Sequence, residues 1–121
     1  SDGMDEISTA EVTEITELRD GRIHSWSVTP GDLGLDRPAD LADMIPAGGP
    51  EENVAIMKAI LSGQDTGPRA QLAIANAGAA IYVGDKADSL REGMEVARKA
   101  IATGAAAEKL EQLIDVTNRE E

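Results

Sequence analysis

Two adjacent carboxylates near the start of the chain, Asp5 and Glu6, have the types and spacing to do chemistry. They sit in Ser1-Asp2-Gly3-Met4-Asp5-Glu6, which packs three acids around a glycine. Neighbouring carboxylates in a tight loop can hold Mg²⁺, an ion that keeps several waters and takes one or two protein carboxylates beside substrate phosphates. A second reading stays open at this point. In a chain with 23 acids, adjacent pairs arise by chance, and Glu51-Glu52 and Glu120-Glu121 are two more. The remaining candidates have plainer readings. His24 titrates near neutral pH, but the strand pairing described below sets it opposite Glu17 on an outward-leaning hairpin, as a surface cross-strand pair. Gly48-Gly49 precedes a helix start that could cradle an anion, yet Glu51 and Glu52 would repel one, so turn and capping geometry is expected. Asn76 lies inside an apolar helix and needs hydrogen-bond partners there, which suggests a structural tether between helices. Ser8, Ser25 and Ser62 lack the elbow and nearby base of a nucleophilic serine. The usual glycine-rich phosphate loops are absent.

The elements that must position these residues follow from the local patterns. Residues 12–18 and 22–28 are rich in Val, Ile, Thr and Trp, which suit strands. Asp20-Gly21 between them marks a two-residue hairpin turn. That turn pairs Leu18 with Ile23, Glu17 with His24, Ile15 with Trp26 and Thr13 with Val28. Ile15, Trp26 and Val28 then share the face to be buried. Residues 29–50 form a connector broken by Pro30, Gly31, Gly34, Pro38, Pro46, Gly48, Gly49 and Pro50, with room for a helical turn or two over 39–44. Four helices are predicted over 51–117. The first opens at Gly49-Pro50-Glu51-Glu52 and carries Val54, Met57, Ile60 and Leu61. The second covers about 68–83 and is apolar nearly all round, so it is expected to be the buried central helix, with Gly78 and its alanines allowing close approach. The third opens with the capping box Ser89-Leu90-Arg91-Glu92 and carries Leu90, Met94, Ala97 and Ile101. The fourth runs from about Ala105 to Thr117 with Leu110, Leu113, Ile114 and Thr117 on one side. The tail from Asn118 to Glu121 is polar and is expected to fray.

Composition narrows the class. With 121 residues the chain is at most one domain. It has no Phe, one Trp and one Tyr, so its core must be aliphatic. Eleven bases against 23 acids give a formal net charge of -12. Such a field disfavours nucleic acid and anionic membranes as partners. The absence of cysteine excludes disulfides, thiolate nucleophiles and Cys-ligated metal centres, and the single histidine excludes a multi-histidine site. No apolar run approaches the roughly 20 residues of a membrane helix, and no leader is visible, so a cytoplasmic protein is expected. A two-stranded ribbon followed by helices is marginal alone, which suggests part of a larger α/β unit.

Taken in order, these features resemble the anthranilate phosphoribosyltransferases. Asp2-Gly3-Met4-Asp5-Glu6-Ile7-Ser8 is similar to that family's Asp-Gly-Leu-Asp-Glu-x-Ser segment. Thr13, Glu17-Leu18 and Asp20-Gly21 match its hairpin, and Pro30 with Leu33-Gly34-Leu35 its connector. Gly48-Gly49, Glu52-Asn53, Gly67-Pro68-Arg69, Asn76-Ala77, Ala79-Ala80, Tyr82-Val83, Ser89-Leu90, Glu92-Gly93 and Thr103-Gly104-Ala105 continue the resemblance through the helices. Glu11-Val12 and Ala70-Gln71 depart from it, where the family has Gly-Pro and Arg-Asp.

The resemblance implies an α/β segment: a β-hairpin followed by four helices, the C-terminal part of the larger α/β domain of a nucleoside phosphorylase/phosphoribosyltransferase-type fold. Residues 1–121 would be a single segment, with hairpin 12–28, connector 29–50 and helices 51–117. It implies that Asp5 and Glu6 bind Mg²⁺ and that no other residue here is catalytic or cofactor-binding. Its substrates would be phosphoribosyl pyrophosphate and anthranilate, in tryptophan biosynthesis. The glycine-rich donor loop, the anthranilate contacts and the helices of the family's homodimer interface would belong to an N-terminal portion outside this chain. The isolated chain is then expected to be inactive. The competing expectations are a non-catalytic module pairing through its hairpin edge and a segment of a related nucleoside phosphorylase.

Overall fold

Asp20 and Gly21 turn the chain with φ of 51° and 72°, the two positive values a type I′ hairpin requires. The turn joins β1 (Thr13–Arg19) to β2 (Arg22–Val28) in an antiparallel pair, in the register expected from sequence. Our computed structural model describes residues 3–45 and 48–119. The expectations that fall on Ser1, Asp2, Pro46, Ala47, Glu120 and Glu121 lie outside the described residues. Val28 is buried, and Ile15 and Trp26 are half-buried, on one face of the hairpin. The opposite face is polar: Thr16 and Ser25 pair through their hydroxyls at 3.0 Å, and Ser27 donates to Glu14 at 2.6 Å.

Past β2, the Asp32 carboxylate accepts from both the Thr29 hydroxyl at 2.7 Å and the Thr29 N–H at 2.9 Å. These bonds hold the Asp32 carboxyl below its ordinary pKa. The turn delivers Leu33 into the core, where it is almost fully buried. A single helical turn, α1 (Leu41–Met44), forms in the connector, capped by Asp40, which accepts from the Ala42 N–H at 2.9 Å. Four longer helices follow: α2 (Pro50–Leu61), α3 (Pro68–Val83), α4 (Leu90–Ala102) and α5 (Ala105–Thr117). Ser89 caps α4 by accepting from the Glu92 N–H at 3.1 Å. Glu92 reaches back to the Asp88 N–H at 2.9 Å, one residue before the reciprocal position of a strict capping box.

The core is small and aliphatic. Ile7, Val28, Leu33, Ala75 and Met94 form it, with Ile15, Trp26, Leu35, Ile74, Ala79 and Leu90 packed around. Its centre is the contact between α3 and α4, which is a glycine-to-glycine approach. A Cβ at Gly78 would stand 2.6 Å from Met94 Cγ and 2.7 Å from the Met94 nitrogen. One at Gly93 would run into the Gly78 carbonyl oxygen.

One expectation requires correction. α3 is not buried all round: Ala73, Ala77 and Ala80 are exposed, and Val83 is 78% exposed. The opening segment, the hairpin tip, α1 and α4 all contact the helix, and the Ala73, Ala77 and Ala80 side is left exposed. The apolar stripes of α2 and α5 are likewise left open. α2 lies against α5, yet neither contains a fully buried residue, and Val54, Met57, Leu113, Ile114 and Val116 face outward. The stripes were correctly spaced for helices, but spacing does not supply a covering layer.

A polar latch ties the hairpin tip to the C-terminal end of α3. The Tyr82 hydroxyl donates to Glu17, 3.0 Å from Oε1 and 3.2 Å from Oε2, and accepts from Arg19 Nη1 at 2.9 Å. The Arg19 guanidinium also lies 5.1 Å from the Tyr82 ring centroid and 3.7 Å from Asp85. Glu17 is therefore engaged by Tyr82, while His24 across the ladder is exposed. The hydrogen bond to Glu17, followed by partial desolvation, raises the Tyr82 pKa, and Arg19 pulls against that rise.

Two outcomes follow. Gly93→Ala forces a methyl group into the α3 backbone and should destabilise the chain by about 3 kcal/mol, the upper part of the usual overpacking range. Gly49→Ala, where a Cβ meets nothing within 4 Å, should cost less than about 1 kcal/mol; urea denaturation distinguishes the two. Tyr82 is the only tyrosine, so its ionisation can be read at a phenolate absorption wavelength without interference. Its midpoint should lie above the ordinary value of about 10 and fall in Glu17→Ala. Because the folded state favours the neutral phenol, this stabilisation is complete below the unfolded pKa and is lost as pH rises through the raised one.

Candidate functional site

The opening segment passes from solvent into the core within three residues. Gly3 adopts a φ of 83°, Asp5 and Glu6 are exposed, and Ile7, Ser8 and Thr9 are buried. Each of the buried three is held by a different part of the fold. Ile7 inserts its side chain beside Val28, Leu33, Ala75 and Met94. Its main chain is gripped by α3: the Ile7 N–H donates to Asn76 Oδ1 at 2.9 Å, and the Ile7 carbonyl accepts from Asn76 Nδ2 at 2.9 Å. Ser8 donates its N–H to Thr13 Oγ1 at 2.9 Å and accepts on its own hydroxyl from the Ala10 and Glu11 N–H groups. The Thr9 carbonyl accepts from the Ala39 N–H at 2.9 Å, and its hydroxyl donates to Met44 Sδ at 3.1 Å. The acid pair thus projects from a segment fastened to α3, β1, the connector and α1.

Asn76 is a tether, but not the expected one between helices. Its long-range partner is the backbone of the opening segment, and its third bond returns to the Leu72 carbonyl of its own helix at 3.1 Å. Among the candidates read from sequence, it alone reaches the acid segment from a distant element. His24 sits near the hairpin tip, Gly49 caps α2, and Ser8 is committed to a local turn. The Tyr82–Glu17–Arg19 latch was not anticipated. Its sequence signal is faint: one tyrosine in a helix otherwise built mostly of small and aliphatic residues. Between that latch and the core lies a groove of about 570 Å³, walled by Ile7, Ile15, Trp26, Ala79, Tyr82 and Leu90.

Among the described residues no group of three or more His, Cys, Asp or Glu side chains is placed to enclose a metal ion. Asp5 and Glu6 offer a different arrangement, two adjacent carboxylates exposed to solvent. That donor set fits Mg²⁺, which accepts one or two carboxylates and completes its octahedron with water and substrate phosphate oxygens. It would not suit a cation that needs an all-protein cage.

Residues 1–107 match the family model described as "Glycosyl transferase family, a/b domain". The chain is 46% identical to an anthranilate phosphoribosyltransferase from Haloarcula marismortui over 113 residues, covering 93% of this chain and 34% of that protein. It is 43% identical to one from Desulfosudis oleivorans, covering 96% of this chain and 34% of that protein. A crystal structure of anthranilate phosphoribosyltransferase from Thermus thermophilus superposes with a TM-score of 0.76 at 36% identity, over 93% of this chain and 32% of the solved one. The chain spans about a third of the length of the relatives it matches. The hairpin, the anchored acid segment and the helices that follow are therefore an α/β arrangement already known, and the chain belongs to the glycosyl transferase family as part of its a/b domain.

Proposed function

We propose that the chain is a segment of an anthranilate phosphoribosyltransferase, the enzyme that transfers the phosphoribosyl group of phosphoribosyl pyrophosphate to anthranilate in tryptophan biosynthesis. One observation carries this reading: relatives bearing that name match at 41–46% identity across more than nine-tenths of the chain. Its substrates are then phosphoribosyl pyrophosphate and anthranilate, and its partner is the remaining portion of the same protein. A full-length homodimer and a cytoplasmic location belong to the same proposal and rest on the family resemblance. Among the described residues, no helix is long and apolar enough to cross a membrane.

In this reading Asp5 and Glu6 hold Mg²⁺. The bound ion would neutralise negative charge that builds on the departing pyrophosphate. The chain's own contribution is placement. Asp5 and Glu6 stand exposed at the end of an anchored segment, so their carboxylates reach solvent while Ile7, Ser8 and Thr9 keep the backbone behind them fixed. The amine of anthranilate needs orientation more than activation, so the reading asks for no general base from this segment. Two carboxylates in a strongly acidic chain meet a polyphosphate without repulsion only if a cation lies between them.

Assayed as 121 residues, the chain should transfer no phosphoribosyl group, and turnover would overturn the segment reading. In a full-length enzyme carrying this segment, Asp5→Asn and Glu6→Gln should each lower kcat by at least about 10- to 100-fold, the loss that outer-shell changes alone can bring to a metal site. They should also raise the Mg²⁺ concentration needed for half-maximal rate. Unchanged Mg²⁺ dependence would remove both residues from the site.

A further inference from the structure

We propose that Asn76 is a positioning residue for the Asp5–Glu6 pair, setting from α3 the direction in which the two carboxylates leave the fold. The proposal rests on the metal reading of those acids given above. Its basis is the use that one side-chain amide makes of its hydrogen-bonding groups. Asn76 Oδ1 accepts from the Ile7 N–H, and Nδ2 donates to the Ile7 and Leu72 carbonyls. The bond to Leu72, one turn earlier on α3, locks the amide against its own helix. The other two bonds then transmit the helix position to residue 7, which lies 69 residues away in sequence.

The geometry reaches the acids through the peptide bond. The Ile7 N–H belongs to the Glu6–Ile7 peptide plane, and the described chain contains no cis peptide. In a trans peptide the C=O points opposite to the N–H, so turning that N–H toward Asn76 aims the Glu6 carbonyl away from the amide. The Ile7 side chain is buried in the core, which prevents the plane from pivoting as a whole. Asp5 and Glu6 are exposed and inherit their placement from this anchored residue. Without the Asn76 amide, both main-chain polar groups of Ile7 lose their partners beside α3, and the segment gains freedom where the carboxylates must converge on one ion.

Mn²⁺, an oxygen-preferring paramagnetic stand-in for Mg²⁺, tests this without any turnover on a full-length enzyme carrying this segment, with inorganic pyrophosphate present to supply the phosphate oxygens. Titration is followed by broadening of the folded-state backbone amide resonances, so that a change in global stability does not enter the measured affinity. The expected result is broadening centred on residues 4–7 that disappears in Asp5→Asn and Glu6→Gln, and an apparent Mn²⁺ affinity about 10-fold weaker in Asn76→Ala. If Asn76→Ala does not fold, Asn76→Gln is judged by the same criterion, because it keeps the amide but displaces it by one methylene. Loss of broadening in the acid variants with unchanged affinity in the folded Asn76 variant would overturn the positioning role and leave the metal reading intact. Broadening that is absent in the wild type, or indifferent to Asp5→Asn and Glu6→Gln, would overturn the metal reading and the positioning role together.

Discussion

The closeness of α3 to α4 is the constraint on which the other contacts depend. Gly78 and Gly93 let the two helix backbones meet with no side chain between them, and Met94 packs directly over Gly78. That approach leaves Ala75 with no exposed surface and Met94 almost none. A surface of such small residues brings backbone atoms within dispersion range, and interiors packed to this density respond to a single methylene. Ile7, Val28 and Leu33 complete the core from three different parts of the chain. Each depends on the platform: Ile7 through the amide of Asn76, Val28 through the hairpin, and Leu33 through the Thr29–Asp32 turn. With no Phe in the sequence, little bulky side-chain volume is available to offset a gap between the helices.

Burial is one-sided, and this explains how apolar segments behave here. The hairpin carries Leu18 and Ile23 at its tip, each 73% exposed. α3 presents alanines and Val83 on the side away from α4, while α2 and α5 carry Val54, Met57, Leu113 and Val116 outward. An a/b domain normally sandwiches a sheet between helical layers, and the relatives this chain matches are about three times its length. The described residues contain one two-stranded sheet.

Charge is distributed with equal selectivity. Among the described residues nearly every acid is exposed, divided between the helices and strands and the loops that join them, where it solvates the molecule and contributes little beyond net repulsion. Glu17 differs because Tyr82 and Arg19 engage it and so join the hairpin to α3. Asp32 differs because it folds a turn. Asp5 and Glu6 are exposed at the end of a segment whose next three residues are held by Asn76, Thr13 and the Ala39 N–H.

Much of the architecture was legible from local pattern. Asp20-Gly21 between two β-prone runs determined the hairpin and its register, because a two-residue turn fixes which residues face each other, and side-chain alternation then puts Ile15, Trp26 and Val28 on one face. Pro50, Pro68 and Ser89 marked helix starts through backbone groups that need no distant partner. The acid pair stood out as adjacent carboxylates beside a glycine. What remained hidden was every feature that joins distant residues. Local spacing showed that Asn76 required partners but not that they would be the two main-chain groups of Ile7. It showed Tyr82 as a helix residue but not as the acceptor of Arg19 and the donor to Glu17. It showed apolar stripes on α2, α3 and α5 but not which of them would be covered. Periodicity and turn chemistry are properties of neighbouring residues, so the sequence by itself determined the elements. Hydrogen-bond partners and burial depend on which elements approach one another, and only the packing of α3 against α4 and the opening segment decided those.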